Sequence, residues 1–440
     1  MSERPIGVVG VGWVGLVTAA CFAELGHRVV ARDIVAEKVD ALTRGQVDIH
    51  EPGLAELVAR NSERLTFTED MGELLESARL LFVCVDTPPT YSGDADLGRV
   101  MSVVDELSDD GDHALVMKST VPVGTGAKIQ RGLTETGYVA CPEFLREGSA
   151  IEDFLHPDRV VIGVDPGSEW AAGEVEAIYA PLEGDIVRTD VPSAEMIKLA
   201  SNNFLATKIS FINEIANVCE EVGADVGEVA RGMGLDERIG PKFLQAGIGY
   251  GGSCFGKDVS ALRKLAANTG YHFQLLNAVV EVNELQKRRV VGKLRRHLGS
   301  LDGKKVALLG LAFKPDTDDM RDAASLILAA RLEGEGVEVR AYDPVAMEAA
   351  AALLPSVAMR DSALAALDGA DAAVLVTEWP EFAELDWAEA AGRMARPLLI
   401  DGRNFLDPEA LRAAGFTYEG IGRATGMGAP VTAEAGDAEQ

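Results

Sequence analysis

Through residues 1–191, short β-branched apolar runs alternate with stretches whose apolar positions recur every three or four residues. "IGVVGVG", "RVVARDI", "LLFVCVDTP", "HALVMKST", "YVACPEF" and "RVVIGVD" are runs of the first kind. They read as short apolar, β-branched strands, most of which stop at a polar cluster. "VGLVTAACFAELGH", closed by Gly26, is of the second kind and predicts a helix. Strand and helix in strict alternation predict a parallel α/β sheet, with ligands beyond the C-terminal strand ends. From Pro192 the pattern changes to "PSAEMIKLASNNFLATKISFINEIANVCEEVG" and remains helical to about Gly299. The alternation restarts at "DGKKVALLGLAFKP" and continues through "VEVRAYDP", "AAVLVTEW" and "PLLIDGRN". The expected organisation is an α/β domain over 1–191, a helical domain over 192–299 and a second α/β domain over 300–424. The small, acidic tail 425–440 is expected to be disordered.

Composition narrows the class. With 440 residues the chain is too long for one core, and 47% hydrophobic with 25% charged residues is ordinary for a water-soluble fold. No apolar run approaches the roughly 18 residues a membrane helix needs, and "MSERPIGVVGVG" carries no leader pattern, so a cytoplasmic protein without a membrane partner is expected. A net charge of −29 argues against nucleic acid as a partner. Five cysteines without C-x-x-C spacing, and histidines 27, 50, 113, 156, 272 and 297 without ligand spacing, argue against a disulfide framework or a metal site.

Gly10-Val-Gly12-Trp-Val-Gly15 follows a strand pattern, opens a helix and precedes Asp33 at the end of the next strand. That context turns a weak G-x-G-x-x-G match into a Rossmann dinucleotide fingerprint. Asp33 suits the ribose hydroxyls and selects NAD over NADP, although Arg32 beside it is able to meet a 2′-phosphate. The later "ALLGLAFKP" lacks the fingerprint glycines.

Other stretches carry candidate chemistry. In "GIGYGGSCFGKD" (247–258) Cys254 stands behind a glycine run and ahead of Lys257 and Asp258. This reads as a nucleophile loop or as a plain glycine turn. "CVDTPP" (84–89) and "KSTVPVGT" (118–125) are hydroxyl-rich strand-to-loop junctions. "CPEFLREGSAIEDFLHPDRVVIG" (141–163) sets Glu143 and Glu147 around an arginine, and "AEMIKLASN" puts Lys198 and Asn202 on one helix face. Taken singly, Thr120 reads equally as a strand end, Glu147 as a surface acid and Lys198 as a surface lysine.

With "GVGWVGL", "KSTVPVGT", "PEFLREG", "GGSCFGKD", "LGLAFKPDTDDMRD" and "DGRN" in this order, the chain resembles the UDP-glucose/GDP-mannose dehydrogenase family from about residue 5 to 424. The resemblance implies an N-terminal Rossmann-like NAD domain, a central helical dimerisation segment and a C-terminal Rossmann-like nucleotide-sugar domain. It implies oxidation of a nucleotide sugar at C6 to a carboxylate with two NAD⁺ and a cysteine nucleophile. Cys254 is then that nucleophile, its glycines admitting the sugar to the thiol. Lys198 and Asn202 serve the oxyanion, and Thr120, Glu147 and Asp258 position water. Gly10, Gly12, Val14, Gly15, Asp33, Lys38, Thr87, Thr120, Glu147, Lys257 and Arg321 are assigned to the cofactor. Glu143, Phe144, Leu145, Arg146, Lys198, Asn202, Tyr250, Gly251, Lys314 and Arg403 are assigned to the sugar nucleotide. Arg238 is expected to reach a neighbouring subunit's site, which implies a homodimer or higher homo-oligomer. Arg321 is equally suited to tying down its loop. Gly256, Trp13 and Asp86 depart from the family's usual residues, and Asp86 bears on the electrostatics near the nicotinamide. UDP-glucose is the leading substrate, with GDP-mannose or a UDP-N-acetylhexosamine next. A two-electron hydroxy-acid dehydrogenase and a silent nucleotide-binding scaffold are the outside readings.

Overall fold

The computed structural model describes residues 4–91, 93–107, 109 and 111–423, so the tail expected to be disordered lies outside the described residues. The chain divides into two compact units, residues 1–202 with 257–272, and residues 203–256 with 273–440.

The first unit holds an eight-stranded sheet: β1 (Ile6–Val9), β2 (Val29–Arg32), β3 (Leu65–Thr68), β4 (Leu80–Val83), β5 (Ala114–Met117), β6 (Gly137–Ala140), β7 (Arg159–Val164) and β8 (Asp185–Thr189). Their order is β3-β2-β1-β4-β5-β6-β7-β8. The order reverses between β1 and β4, which opens a crevice at their C-terminal ends. The sheet is not wholly parallel as expected, because β6 and β7 pair antiparallel. The connection between them contains only the Ala150–Leu155 helix. The C-terminal ends of the two strands meet, Ala140 opposite Gly163 and Val139 opposite Val164, so β7 approaches from beyond the end of β6 and runs back alongside it. The Trp13–Glu24 helix packs on this sheet with Gly15 through Ala23 buried. Its Phe22 ring lies 4.8 Å from Phe82 and 5.3 Å from Phe154, centroid to centroid, in edge-on contacts.

The second unit holds β9 (Lys305–Leu309), β10 (Glu338–Tyr342), β11 (Ala358–Met359), β12 (Ala372–Leu375), β13 (Leu398–Asp401) and β14 (Thr417–Glu419). The order β11-β10-β9-β12-β13-β14 repeats that of the first six strands of the other sheet. All its pairs are parallel. The long Val191–Val222 helix carries the chain from one unit to the other, and Lys257–His272 returns to the first. The helical middle of the sequence is therefore shared between the two units.

Candidate active site

In the first unit the fingerprint adopts the geometry its glycines require. Gly10 has φ +89°, and a Cβ on Gly15 would lie 1.8 Å from the Gly10 carbonyl oxygen. At Gly12 a Cβ would meet nothing nearer than Asp86 Oδ1 at 3.9 Å, so the N-terminus of the Trp13–Glu24 helix is open to a ligand. Gly12 is the N-cap and has no side chain to satisfy the first-turn N–H groups, which suits a pyrophosphate. Asp33 follows β2, accepting the Val11 N–H on Oδ2 at 2.9 Å and the Val35 N–H on Oδ1 at 3.1 Å. Each oxygen retains a lone pair for a ribose hydroxyl. Arg32 is turned away and buried, held to Glu106 at 2.9 Å and to the Glu69 carbonyl at 3.2 Å. The residues present thus fit NAD. Asp33→Ala should raise the KM for NAD⁺ roughly tenfold or more, the scale of a hydrogen bond to a charged group. It should not create use of NADP⁺, because Arg32 stays engaged. Steady-state kinetics with both cofactors check this. Asp86 pairs with Arg99 at 2.9 Å, so its charge has an opposite neighbour at the crevice.

The polar residues at the strand ends form linked pairs. Lys198 Nζ lies 2.8 Å from Glu143 Oε1, and both side chains are buried. Glu143 Oε2 also accepts the Leu145 N–H at 2.6 Å. Burial alone would push the Glu143 carboxyl up, but Lys198, the Leu145 N–H and Lys118 hold it below the usual carboxylate value. Asn202 donates from Nδ2 to Asp258 Oδ2 at 2.6 Å, and Lys257 Nζ lies 3.1 Å from Asp258 Oδ1. Asp258 is 1% exposed. Lys257 also reaches Thr87 Oγ1 at 3.5 Å, and that hydroxyl donates to the Thr120 carbonyl at 2.8 Å. A small cavity lined by Ser119, Thr120, Pro142, Glu195 and Lys198 brings Thr120 and Lys198 together. Lys198 is a buried, paired cation, and the surface-lysine reading fails.

The 141–150 loop after β6 presents the remaining acids and contacts. Arg159 stacks its guanidinium 3.8 Å over the Phe144 ring, and Lys198 Nζ lies 5.4 Å from the same ring centroid. Arg146 is exposed, with its backbone N–H and guanidinium both on Asp153. Leu145 and Glu147 are half-buried, as are Val14 and Lys38.

In the second unit Cys254 is exposed, whereas Cys21, Cys84, Cys141 and Cys219 are buried. Burial pushes the Cys21 and Cys84 thiols up to about 12, which leaves them inert as nucleophiles. The Ser253 hydroxyl lies 3.6 Å from the Cys254 sulfur. The glycine run before it is also required by close packing. A Cβ at Gly251 would lie 2.4 Å from the Asp322 carbonyl oxygen, and one at Gly252 2.7 Å from the Phe313 ring. At these two positions the loop backbone is pressed against its own protein, which only a residue without a Cβ allows. Amides then hold it in register. Asn213 accepts the Gly247 N–H, Gln286 donates to the Gly247 carbonyl, and Asn283 pairs with both the N–H and the carbonyl of Tyr250.

Arg403 was assigned to the substrate. Here it commits Nη1 to the Gly249 carbonyl at 2.9 Å and Nε to the Val376 carbonyl at 2.7 Å, tying the loop to the end of β13. Arg321 touches the loop through its carbonyl, which accepts the Gly252 N–H at 2.8 Å, while its side chain pairs with Asp319. Tyr250 is buried edge-on to Phe255, Lys314 Nζ lies 5.5 Å from the Phe313 centroid, and Arg238 is exposed and paired with Asp236.

The second sheet's counterpart of Asp33 is Asp343, placed after β10. It is fully buried and accepts from the N–H groups of Leu311, Ala312, Val345 and Ala346 and from the Trp379 indole. Five donors leave nothing for a ribose, so this unit has the Rossmann frame without its dinucleotide acid. Sequence reasoning missed Asp343, the loop-holding Asn283 and Gln286, and two buried acids. Glu195 accepts the Gly124 and Gly126 N–H groups at 2.7 and 2.8 Å, and Glu51 receives Trp13. Glu195, one turn before Lys198, was the one within reach. Among the described residues no helix is long and apolar enough to cross a membrane, and no group of three or more His, Cys, Asp or Glu is placed to hold a metal ion.

Three descriptions of one family match the chain in order. They are the NAD binding domain of the UDP-glucose/GDP-mannose dehydrogenase family over residues 4–183, its central domain over 192–285 and its UDP binding domain over 307–408. A UDP-glucose 6-dehydrogenase of Bacillus subtilis is 45% identical over 432 residues, covering 96% of this chain and 93% of the relative. One from Rhizobium meliloti is 46% identical, covering 95% and 99%. Among solved structures, a UDP-glucose dehydrogenase from Pyrobaculum islandicum superposes with a TM-score of 0.87 at 37% identity, covering 96% of this chain and 98% of that one.

Proposed function

The chain belongs to the UDP-glucose/GDP-mannose dehydrogenase family and is an NAD-dependent oxidoreductase, and on that premise we propose that it converts UDP-glucose to UDP-glucuronate through a covalent intermediate on Cys254. The observation that carries the covalent step is the exposure of this one thiol while the other four cysteines are buried. UDP-glucose is favoured because relatives bearing that name match nearly end to end at about 45% identity.

When bound, NAD⁺ accepts a hydride in each of two oxidations. The chain's residues do the rest. As the C6 alcohol becomes an aldehyde, its proton passes to water held by Thr120, Glu147 and Asp258. The Cys254 thiolate adds to the C6 carbonyl, forming a C–S bond and keeping the aldehyde from escaping. Lys198 and Asn202 donate to the oxygen that develops charge at C6, and Glu143 and Asp258 hold those donors in place. Loss of the second hydride leaves a thioester. Water attacks its carbonyl, the C–S bond breaks, and the thiol and carboxylate separate. Lys314 faces the diphosphate in this reading, with Arg403 shaping the loop beside it.

The test is NADH formed per molecule of UDP-glucose, with GDP-mannose and UDP-N-acetylglucosamine in parallel. Two per UDP-glucose is expected. Two from another sugar would keep the chemistry and replace the substrate, and one would remove the thioester from the mechanism.

A second copy of the chain is the proposed partner. Phe204, Phe211 and Val218 are spaced seven residues apart on the Val191–Val222 helix and all are exposed. That spacing places them on one face, an apolar stripe needing cover. Replacing Phe204 and Phe211 by Asp should shift the sedimentation coefficient from dimer to monomer. A wild-type chain that sediments as a monomer at micromolar concentration would end this assignment.

A further inference from the structure

Glu51 belongs to none of the sequence motifs, yet its buried carboxylate joins two of them. Oε2 accepts the Trp13 indole N–H at 2.9 Å and the Gly148 N–H at 2.7 Å, and Oε1 accepts the Ala150 N–H at 2.8 Å. Trp13 is the first residue of the fingerprint helix, between Gly12 and Gly15. Gly148 and Ala150 close the loop that carries Glu143, Phe144, Leu145, Arg146 and Glu147, and the loop's other anchors are Glu143 on Leu145 N–H and Asp153 on Arg146 N–H. Three donors converge on one group, so an acceptor-only side chain is required. A glutamine would turn its NH₂ against one of them. The bonds are charge-assisted and shielded from water, which makes them strong and directional.

We propose that Glu51 is a positioning residue that couples occupancy of the Gly10–Gly15 fingerprint to the placement of the Glu143–Glu147 loop. The inference rests on the reading above that this loop serves the nucleotide sugar. Cofactor seated on the fingerprint helix fixes Trp13, and the indole holds Oε2 where it also grips Gly148. By linkage, cofactor and sugar then each improve the other's binding.

Three full-length variants test this: Trp13→Phe, which keeps the ring and removes the donor, Glu51→Gln, and the double variant. Hydrogen exchange across residues 141–155 is read with and without NADH, alongside kcat, both KM values and thermal unfolding. NADH should slow exchange at Gly148 and Ala150 in the wild type by about tenfold, and the slowing should shrink to about twofold in Trp13→Phe. The KM for UDP-glucose should rise roughly fivefold in Trp13→Phe, although the substitution lies in the cofactor fingerprint, with kcat changing less. In the Glu51→Gln background, Trp13→Phe should add less than about twofold, because both act through one carboxylate. The proposal fails if NADH leaves exchange of the loop unchanged, if the two substitutions multiply independently, or if they lower the unfolding temperature alone. Should the wild type not turn over UDP-glucose, the substrate reading falls, and the exchange experiment still decides the coupling.

Discussion

Cys254→Ala is expected to abolish formation of the uronate, lowering two-NADH turnover on the order of 10³-fold or more, the scale on which loss of a covalent nucleophile acts. Binding of UDP-glucose should stay within about threefold, because the loop is held by Asn213, Asn283, Gln286 and Arg403 rather than by the thiol. No other cysteine can substitute, since the remaining four are buried. Cys254→Ser separates the chemistry from the shape. The hydroxyl fits the loop but is a poor nucleophile at neutral pH, so it should capture the aldehyde weakly and release it. NADH stoichiometry gives the first readout, and intact-protein mass after quenching gives the second, a sugar-nucleotide adduct on the wild type that both variants lack. Near-normal uronate formation by Cys254→Ala would remove the thiol from the mechanism and leave a direct hydration route.

The second large effect is on stability. Lys293 is 2% exposed, with Nζ 2.5 Å from Glu220 Oε1 and 2.8 Å from Glu419 Oε1. Glu220 also takes Arg289 and the Gly422 N–H, and Glu419 takes Arg296 and His297. Lys293→Met keeps the volume and removes the cation, leaving two carboxylates short of their central partner. The expected loss is about 3–5 kcal/mol.

The pH dependence identifies the cause. Burial pushes both carboxyls up, but Lys293 and the neighbouring cations hold them below the ordinary glutamate value. In the wild type their contribution is therefore present above the unfolded pKa of roughly 4.3 and is lost as pH falls through the lower folded values. In Lys293→Met burial is less opposed, so the carboxyls rise and accept protons more readily. The deficit should accordingly be larger at pH 7 than at pH 5. Urea midpoints across that range measure it, and a deficit below about 1 kcal/mol, or one that does not vary with pH, would show that the cation is not what the acids depend on.

How legible the fold was depended on burial on two faces. Every interior strand of both sheets was readable, all but β10 as an apolar run and β10 as the alternating, half-buried "VEVRAY". The four unread strands are β3, β8, β11 and β14, which are the four sheet edges. Their burial is partial, and in β8 it is nearly absent, so their side chains were never constrained to the apolar run by which most of the others were recognised. The antiparallel β7 was hidden for another reason. Direction depends on the length and path of the connection, and a six-residue helix resembles any other amphipathic fragment in sequence.

The site divides along the same line. Local chemistry was determined by local sequence. The fingerprint glycines, Asp33, the pair Lys198 and Asn202 on one helix face, and Cys254 four residues ahead of Asp258 are each patterns within a few residues, and at the fingerprint glycines backbone geometry forces the residue type. Tertiary structure decided the partners. Lys198 meets Glu143, Asn202 meets Asp258, Glu51 meets backbone groups 97 and 99 residues away, and Arg403 meets a glycine 154 residues away. It also decided that the glycines before Cys254 serve close packing and that Arg32 faces an acid instead of a phosphate. A hydrogen bond across a hundred residues leaves no spacing to read, because the fold, not the chain, sets the distance between its ends.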